Sequence, residues 1–170
     1  PFGDGSTLGY SPQAFWNDGR LRWLQFNNGR YGFPGADLVE QNCGRMIRTA
    51  RNIPIESGYL DVFDRNGSLV WSALSASRMP RIVRFFEVPA GFDFQNNTIS
   101  MSLDFNPWIL VNNCPGNLSD DGEVVGYSGV VLRWTGSQLQ GRYISLKQKT
   151  WAQTFQSRGL RIPLAQFVGI

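Results

Sequence analysis

The sequence predicts an all-β domain, an antiparallel β-sandwich or jelly-roll-like fold with an irregular N-terminal arm and at most one short helix. Two features of the composition support this class. Aromatic residues make up 14% and charged residues only 17%, against roughly 25% charged in typical soluble domains. The 170 residues include 19 glycines and 9 prolines, which favours strands joined by tight turns. The third observation is a series of short β-prone runs from about residue 58 onward, spaced as in a sandwich or barrel.

The length and the 42% apolar content predict a single domain with its own hydrophobic core. Residues 1–35 show little periodicity apart from a short run at 20–26, and we interpret them as an extended arm rich in glycine and aromatic residues. Residues 36–170 are predicted to form the β-sandwich domain. The aromatic residues of the arm either anchor on another subunit or cover the domain's own sheet; they are Phe2, Tyr10, Phe15 and Trp16.

Residues 38–50 carry the most helix-like spacing of the chain, because their apolar residues recur near one face at a 3.6-residue period. This spacing predicts a short helix or an irregular connection, with Gly44 weakening the helix. The apolar positions are Leu38, Val39, Cys43, Met46, Ile47 and Ala50.

The clearest strand signal is a hairpin. Residues 59–63 and 68–71 are β-prone, and Asn66-Gly67 between them supplies the positive φ angles that tight hairpin turns require. Residues 98–105 alternate strictly, with Ile99, Met101, Leu103 and Phe105 predicted on the buried face. Further strands are predicted at 81–88, 108–111, 123–127, 130–134, 139–147, 150–156 and 160–170, with a loop at 112–122.

Catalysis through a Ser-His-Asp or Cys-His site is excluded, because the chain has no histidine. A pair of carboxylates remains open, since glycosidases need only two suitably spaced acidic side chains. The candidates for such a histidine-free glycoside hydrolase are Glu87, Asp93 and Asp104. The prediction that we prefer is a protein without catalytic residues.

No cofactor and no metal are expected. The chain lacks the glycine-rich motifs of phosphate loops, and Cys43 and Cys114 lie too far apart in sequence for a CxxC motif. We interpret the two cysteines as buried free thiols. The acidic run at 119–123 lacks the ligand spacing of an EF-hand, so a solvated turn is the preferred interpretation.

A binding surface is the second hypothesis. Trp16 and Trp108 lie beside predicted loops, where binding residues are commonly displayed, and Asn112 and Asn113 open the loop that follows Trp108. These four residues are the candidates for binding a carbohydrate or a receptor. The tryptophans within predicted strands are expected to pack in the core or on a sheet face; they are Trp71, Trp134 and Trp151.

The formal charge of +3 does not predict a nucleic-acid partner, because the arginines are spread singly along the chain. No apolar stretch is long enough for a membrane helix, so no membrane insertion is expected. The start at Pro1, without a basic segment and an apolar run after it, predicts no signal peptide and hence synthesis in a cytoplasm.

The segment Gly58–Trp71, with sequence GYLDVFDRNGSLVW, resembles the opening hairpin of small β-rich virion proteins encoded among the tail genes of tailed bacteriophages. A looser likeness extends to Ile170. The resemblance implies a structural part of the tail tip, the baseplate or the fibre attachment region, made in the host cytoplasm and then carried in the virion. It carries over no catalytic or receptor-binding residue.

The expected partners are therefore copies of the same chain and other virion subunits, and a host surface receptor or glycan is a further candidate. The apolar end of the chain, 162–170, needs a covering neighbour, which is either the domain's own sheet or another subunit. The second case agrees with a homo-oligomer. The alternative functions are a carbohydrate- or receptor-binding β-sandwich module and a histidine-free glycoside hydrolase.

Overall fold

The computed structural model describes residues 8–10, 19–36, 38–49, 53–120, 122–123 and 125–168. It confirms the all-β class, with antiparallel pairing throughout these ranges. The elements are β1 (Leu8–Tyr10), β2 (Arg22–Phe26), β3 (Tyr31–Phe33), β4 (Leu38–Glu40), β5 (Gly44–Arg48), β6 (Asp61–Phe63), β7 (Leu69–Ser72), α1 (Ala73–Ser77), β8 (Arg81–Val88), β9 (Ile99–Ser102), β10 (Trp108–Leu110), β11 (Gly116–Asp120), β12 (Val125–Trp134), β13 (Gln138–Leu146), α2 (Trp151–Phe155) and β14 (Leu160–Gln166). Two short 3-10 turns lie at Pro34–Ala36 and Val111–Asn113.

Two sheets face each other to form the sandwich. The larger sheet has the order β1-β4-β3-β12-β13-β9, with β11 also paired to β12, and the smaller has the order β5-β2-β10-β14-β8. Strands distant in sequence are neighbours in both sheets, which explains why no local pattern reveals their order. The hairpin β6-β7 forms a separate two-stranded sheet.

The core lies between the two large sheets. Leu24, Phe86 and Leu164 from the smaller sheet share one buried cluster with Leu132 and Leu139 from the larger sheet. Each of these side chains is at most 2% exposed, so burial of their apolar surface stabilises the sandwich. The helix α2 closes one end of this core, where Trp151 stacks on Phe155 and donates its indole N–H to the carbonyl oxygen of Phe92 at 2.9 Å.

The prediction of a helix or an irregular connection at 38–50 was wrong. This segment contains the strands β4 and β5, which belong to different sheets. Gly44 lies so close to β2 that a Cβ atom at this position would overlap the carbonyl oxygen of Gln25. The pairing of β5 with β2 therefore prevails over the helical spacing, which reflects local periodicity alone.

Three further details differ from the predicted elements. Residues 150–156 contain the helix α2 instead of a strand, because Thr150 and Gln153 form a capping box. With α1 the described part of the chain thus contains two short helices, where at most one was expected. The predicted strands 123–127 and 130–134 are one continuous strand, β12, and the predicted loop at 112–122 includes the strand β11.

The boundary between the arm and the sandwich at residue 35 was also wrong. β2 and β3 lie within this range and belong to the two large sheets, and Trp23, Phe26 and Phe33 are buried. Of the predicted anchors, Phe2, Phe15 and Trp16 lie outside the described residues. Tyr10 ends β1, which pairs with β4.

A close contact between the two large sheets generates a stability prediction. A Cβ atom at Gly141 would stand 2.5 Å from Cζ of Phe86, whose ring is fully buried. We expect Gly141→Ala to lower the free energy of unfolding by about 1–3 kcal/mol, the usual cost of overpacking a core.

Denaturant unfolding of Gly141→Ala, Phe86→Leu and the double variant checks this expectation. Leucine lacks the outer ring atoms, so the cost in the double variant should fall short of the sum of the single costs by about 1 kcal/mol. Strictly additive costs would contradict the proposed contact.

Candidate assembly surface

Residues 53–80 form an excursion from the sandwich, which we call the hairpin unit. It comprises an extended lead-in, the hairpin β6-β7 and the helix α1. The turn of the hairpin is built by Asp64, whose carboxylate accepts the backbone N–H groups of Asn66 at 2.8 Å and Ser68 at 2.9 Å. Gly67 has φ +80°, the conformation that glycine supplies in tight turns. The predicted hairpin is thus confirmed.

Polar contacts hold the base of the hairpin unit together. The carboxylate of Asp61 accepts hydrogen bonds from the hydroxyl of Ser57 and from the backbone N–H of Gly58. These bonds lower the pKa of Asp61, with the Ser57 hydroxyl as the largest cause. In the same unit, Arg78 pairs with Glu56 at 2.8 Å. The unit is therefore shaped by hydrogen bonds and an ion pair.

The hairpin unit lacks a buried apolar core of its own within the described residues. Ser72 is the one buried residue of this unit. Nine of the fifteen exposed large apolar side chains of the described chain belong to this unit. They are Ile53, Ile55, Tyr59, Leu60, Val62, Phe63, Val70, Trp71 and Met79. An isolated two-stranded hairpin is marginally stable in water, and apolar surface concentrated in this way marks an interaction site.

Tyr59 is the most exposed of these side chains, with 97% of its surface accessible. Its φ angle of 65° lies in the left-handed region, which bulky residues rarely adopt. Such a conformation costs of the order of 1 kcal/mol and is concentrated at functional sites. The backbone thus holds an aromatic ring outward at an energetic cost that its burial in the domain does not offset.

The strand that follows the hairpin unit continues the exposed surface. β8 begins with Arg81, Ile82, Val83 and Arg84, and all four side chains are exposed. Among the described strands β8 pairs with β14 alone, so it is an edge of the smaller sheet. The pairing register between β8 and β14 shifts between Leu164 and Ala165 of β14. An irregularity of this kind at a sheet edge hinders the pairing of a further strand.

The predicted carbohydrate-binding residues do not form a common exposed surface. Trp108 is 4% exposed and packs edge-on against Phe167, so its predicted display on the surface was wrong. Asn112 is exposed, but its amide bonds the backbone at Arg20 and Arg22 and thereby ties that segment to the 3-10 turn. Trp16 lies outside the described residues.

Asn113 is exposed and donates to the carbonyl oxygen of Arg161 at 3.4 Å. Of the three tryptophans predicted to lie on strands, two are buried and one is exposed in the structure. Trp134 is buried in β12, and Trp151 is buried at the start of α2. Trp71 is 41% exposed and belongs to the hairpin unit.

The three candidate carboxylates line three different depressions. Glu87 pairs with Arg161 at 2.8 Å beside Gly159, and Asp104 lies near Arg84 and Ser137. Asp93 lines a third depression, where the Asn96 side-chain amide and backbone N–H lower its pKa. A glycosidase general acid needs a raised pKa, so Asp93 does not suit that role.

The two cysteines are free and buried, as expected from the sequence. Burial raises the pKa of both thiols, and for Cys43 the nearby Glu40 adds to the effect. A raised pKa lowers the fraction of reactive thiolate. Within the described ranges no three acidic or thiol side chains come close enough together to hold a metal ion.

A comparison with protein families gives one match, which spans residues 1–169. The chain belongs to the DUF8377 family. The description of that family is a domain of unknown function. No curated protein and no solved structure matches the chain significantly. The helices of the described ranges have at most five residues, and none is long and apolar enough to cross a membrane.

Sequence reasoning located the hairpin of this DUF8377 chain but missed its exposure. The signal was present in Tyr59, Leu60, Val62 and Phe63, where apolar residues follow one another without the alternation of a half-buried strand. A short hairpin with apolar residues on both faces has no interior of its own. Such a pattern is typical of a surface that another chain covers.

The burial of the thiols generates a labelling prediction. At pH 8 the native protein should react with Ellman's reagent more slowly, by roughly 100-fold or more, than the same protein in guanidinium chloride, where two thiols per chain should react. The reason is that both sulfur atoms are shielded and their pKa values are raised. Rapid reaction of either thiol in the native protein would contradict this placement.

Proposed function

We propose that the protein is a structural virion protein of a tailed bacteriophage, which assembles in the tail tip, baseplate or fibre region through the hairpin unit. The observation that supports assembly through the hairpin unit is the concentration of nine exposed apolar side chains on a unit without a buried core. A surface of this kind is covered in an assembly.

The size of the surface agrees with a stable protein interface. If a large side chain has about 200 Å² of surface, the nine residues expose on the order of 1,000 Å². A standard interface takes about 800 Å² from each partner. Tyr59, Phe63 and Trp71 are aromatic residues of the types that are enriched at interfaces.

The distribution of charge favours a protein partner over a lipid bilayer. The tip of the hairpin is its most polar part, with Asp64, Arg65 and Asn66 all exposed. A membrane-inserting hairpin would place apolar residues at the tip, because burial of charge in hydrocarbon is costly. Here the apolar residues lie along the sides, where another protein can pack on them.

The assignment to a phage tail rests on the resemblance of Gly58–Trp71 to hairpins of tail virion proteins. This segment contains six of the nine exposed apolar residues, Tyr59, Leu60, Val62, Phe63, Val70 and Trp71. The residues that carry the resemblance are thus also those that need a covering partner. No comparable observation in the described residues favours the carbohydrate-binding module or the glycoside hydrolase.

Mass spectrometry of purified virions tests the assignment. Particles of the phage that encodes this chain should contain it in a fixed ratio to the known tail subunits, and it should stay with isolated tails after the heads are removed. Its absence from particles in which the other tail subunits are detected would sink the proposal.

A hairpin variant tests the proposed surface. In Tyr59→Gly combined with Phe63→Ser, we expect the recovery of the chain in complexes with co-expressed tail proteins to fall roughly 10-fold or more, since buried aromatic anchors dominate interfaces. Glycine suits the φ of 65° at position 59, so the midpoint of thermal unfolding should not fall because of that change.

Leu146→Ser is the matched control. Leu146 is 47% exposed on β13 of the larger sheet, outside the hairpin unit, so its replacement should leave recovery unchanged. Equal losses for the control and the hairpin variant, or no loss for either, would rule out the hairpin unit as the assembly surface.

A further inference from the structure

We infer that the hairpin unit binds a second copy of the same chain, on the exposed first half of β8 that comprises Arg81–Arg84, in a head-to-tail contact. This inference deepens the proposed function, because it names the partner of the hairpin unit. Two features of the chain itself indicate a second copy as the partner: an exposed apolar strand segment on the sandwich and a charge opposite to that of the hairpin.

The receiving surface is an arginine-flanked apolar strand. Ile82 and Val83 are 53% and 43% exposed, although both lie within a strand of the sandwich. Arg81 and Arg84 flank them with exposed side chains, and Arg84 reaches the carbonyl oxygen of Ser102 at 3.5 Å. The apolar centre with a charged rim is the usual anatomy of a protein interface.

The hairpin carries the opposite balance of charge. Residues 57–72 contain two carboxylates, Asp61 and Asp64, and one guanidinium, Arg65. Residues 81–84 contain two guanidinium groups, and one carboxylate, that of Asp104, lies near Arg84. The hydrogen bonds that lower the pKa of Asp61 keep it ionised at neutral pH. Opposite charge on two apolar surfaces orients and selects their contact.

Within one chain the two surfaces do not cover each other, because the side chains of both are exposed. They also belong to different sheets, the hairpin β6-β7 and the smaller sheet of the sandwich. Each copy therefore offers one donor surface and one receiving surface. When the same two copies do not return the contact to each other, a contact between unlike surfaces is heterologous and repeats from copy to copy, so it closes into a ring or continues as a filament.

A mixing experiment with the full chain distinguishes this arrangement from a contact between two hairpins. One variant, Tyr59→Gly with Phe63→Ser, removes the donor surface; the other, Arg81→Glu with Arg84→Glu, reverses the charge of the receiving surface. Sedimentation velocity measures the oligomer of each protein alone and of their equimolar mixture. Circular dichroism and thermal unfolding confirm that each variant is folded.

The wild-type protein and Leu146→Ser should form the same oligomer of three or more copies, and a two-fold dimer of the wild-type protein would overturn the head-to-tail arrangement. Each double variant should be monomeric alone, with a dissociation constant raised roughly 30-fold or more, as for a loss of interface anchors. The mixture should give a one-to-one dimer and nothing larger, since the intact strand of one variant meets the intact hairpin of the other. A monomeric mixture would overturn the inference, as would an arginine variant that assembles like the wild type.

Two further outcomes separate the inference from the proposed function. A wild-type chain that stays monomeric, yet is recovered with tail proteins through the hairpin unit, would overturn the inference and leave the proposed function standing. Vesicles of phosphatidylcholine and phosphatidylglycerol test the lipid alternative. Hairpin-dependent binding to these vesicles by a monomeric chain would overturn both.

Discussion

The close packing of the two large sheets is the interaction on which the rest of the molecule depends. Phe86 reaches across from β8 to the bare backbone of Gly141 in β13, and Leu132 lies beside them. This packing holds the end of β8 near Val88 in the core, while the other end of the same strand lies exposed. The sandwich thus forms the base of the molecule. Its edge strand β8 directly follows the hairpin unit in the chain.

The interactions that shape the hairpin unit differ from those that stabilise the sandwich. Backbone and side-chain hydrogen bonds around Asp61 and Asp64 define its shape, and its apolar side chains face outward. Hydrogen bonds specify geometry but contribute little net stability. The unit therefore has a defined conformation without a hydrophobic interior, a combination that suits a surface prepared for another chain. Tyr59, held in a left-handed conformation, is the clearest instance.

Much of the fold could be predicted from local sequence signals, and the failures have specific physical causes. The hairpin at Asn66-Gly67 was predicted because its turn chemistry is local. The helix-like spacing at 38–50 gave a wrong prediction, because the backbone contact of Gly44 with β2 is a long-range effect that local spacing does not contain. Trp151 was predicted to lie in a strand because of the β propensity of the residues around it. The capping box of Thr150 and Gln153 starts a helix there instead, and this signal involves only a few residues. Trp108 was expected on the surface, but packing against Phe167 buries it.

The sequence by itself determined the all-β class, the hairpin and the absence of histidine chemistry. These properties depend on composition, on turn residues and on local periodicity. Only the tertiary structure decided which apolar residues are covered. Trp108 and Trp71 are equally apolar in sequence, yet one is buried and the other is 41% exposed. Burial depends on which strands become neighbours, and pairings between distant strands leave no local signal. The sequence signal at 59–63 therefore covers only part of the candidate assembly surface, and its full extent could be recognised only once the sheets were in place.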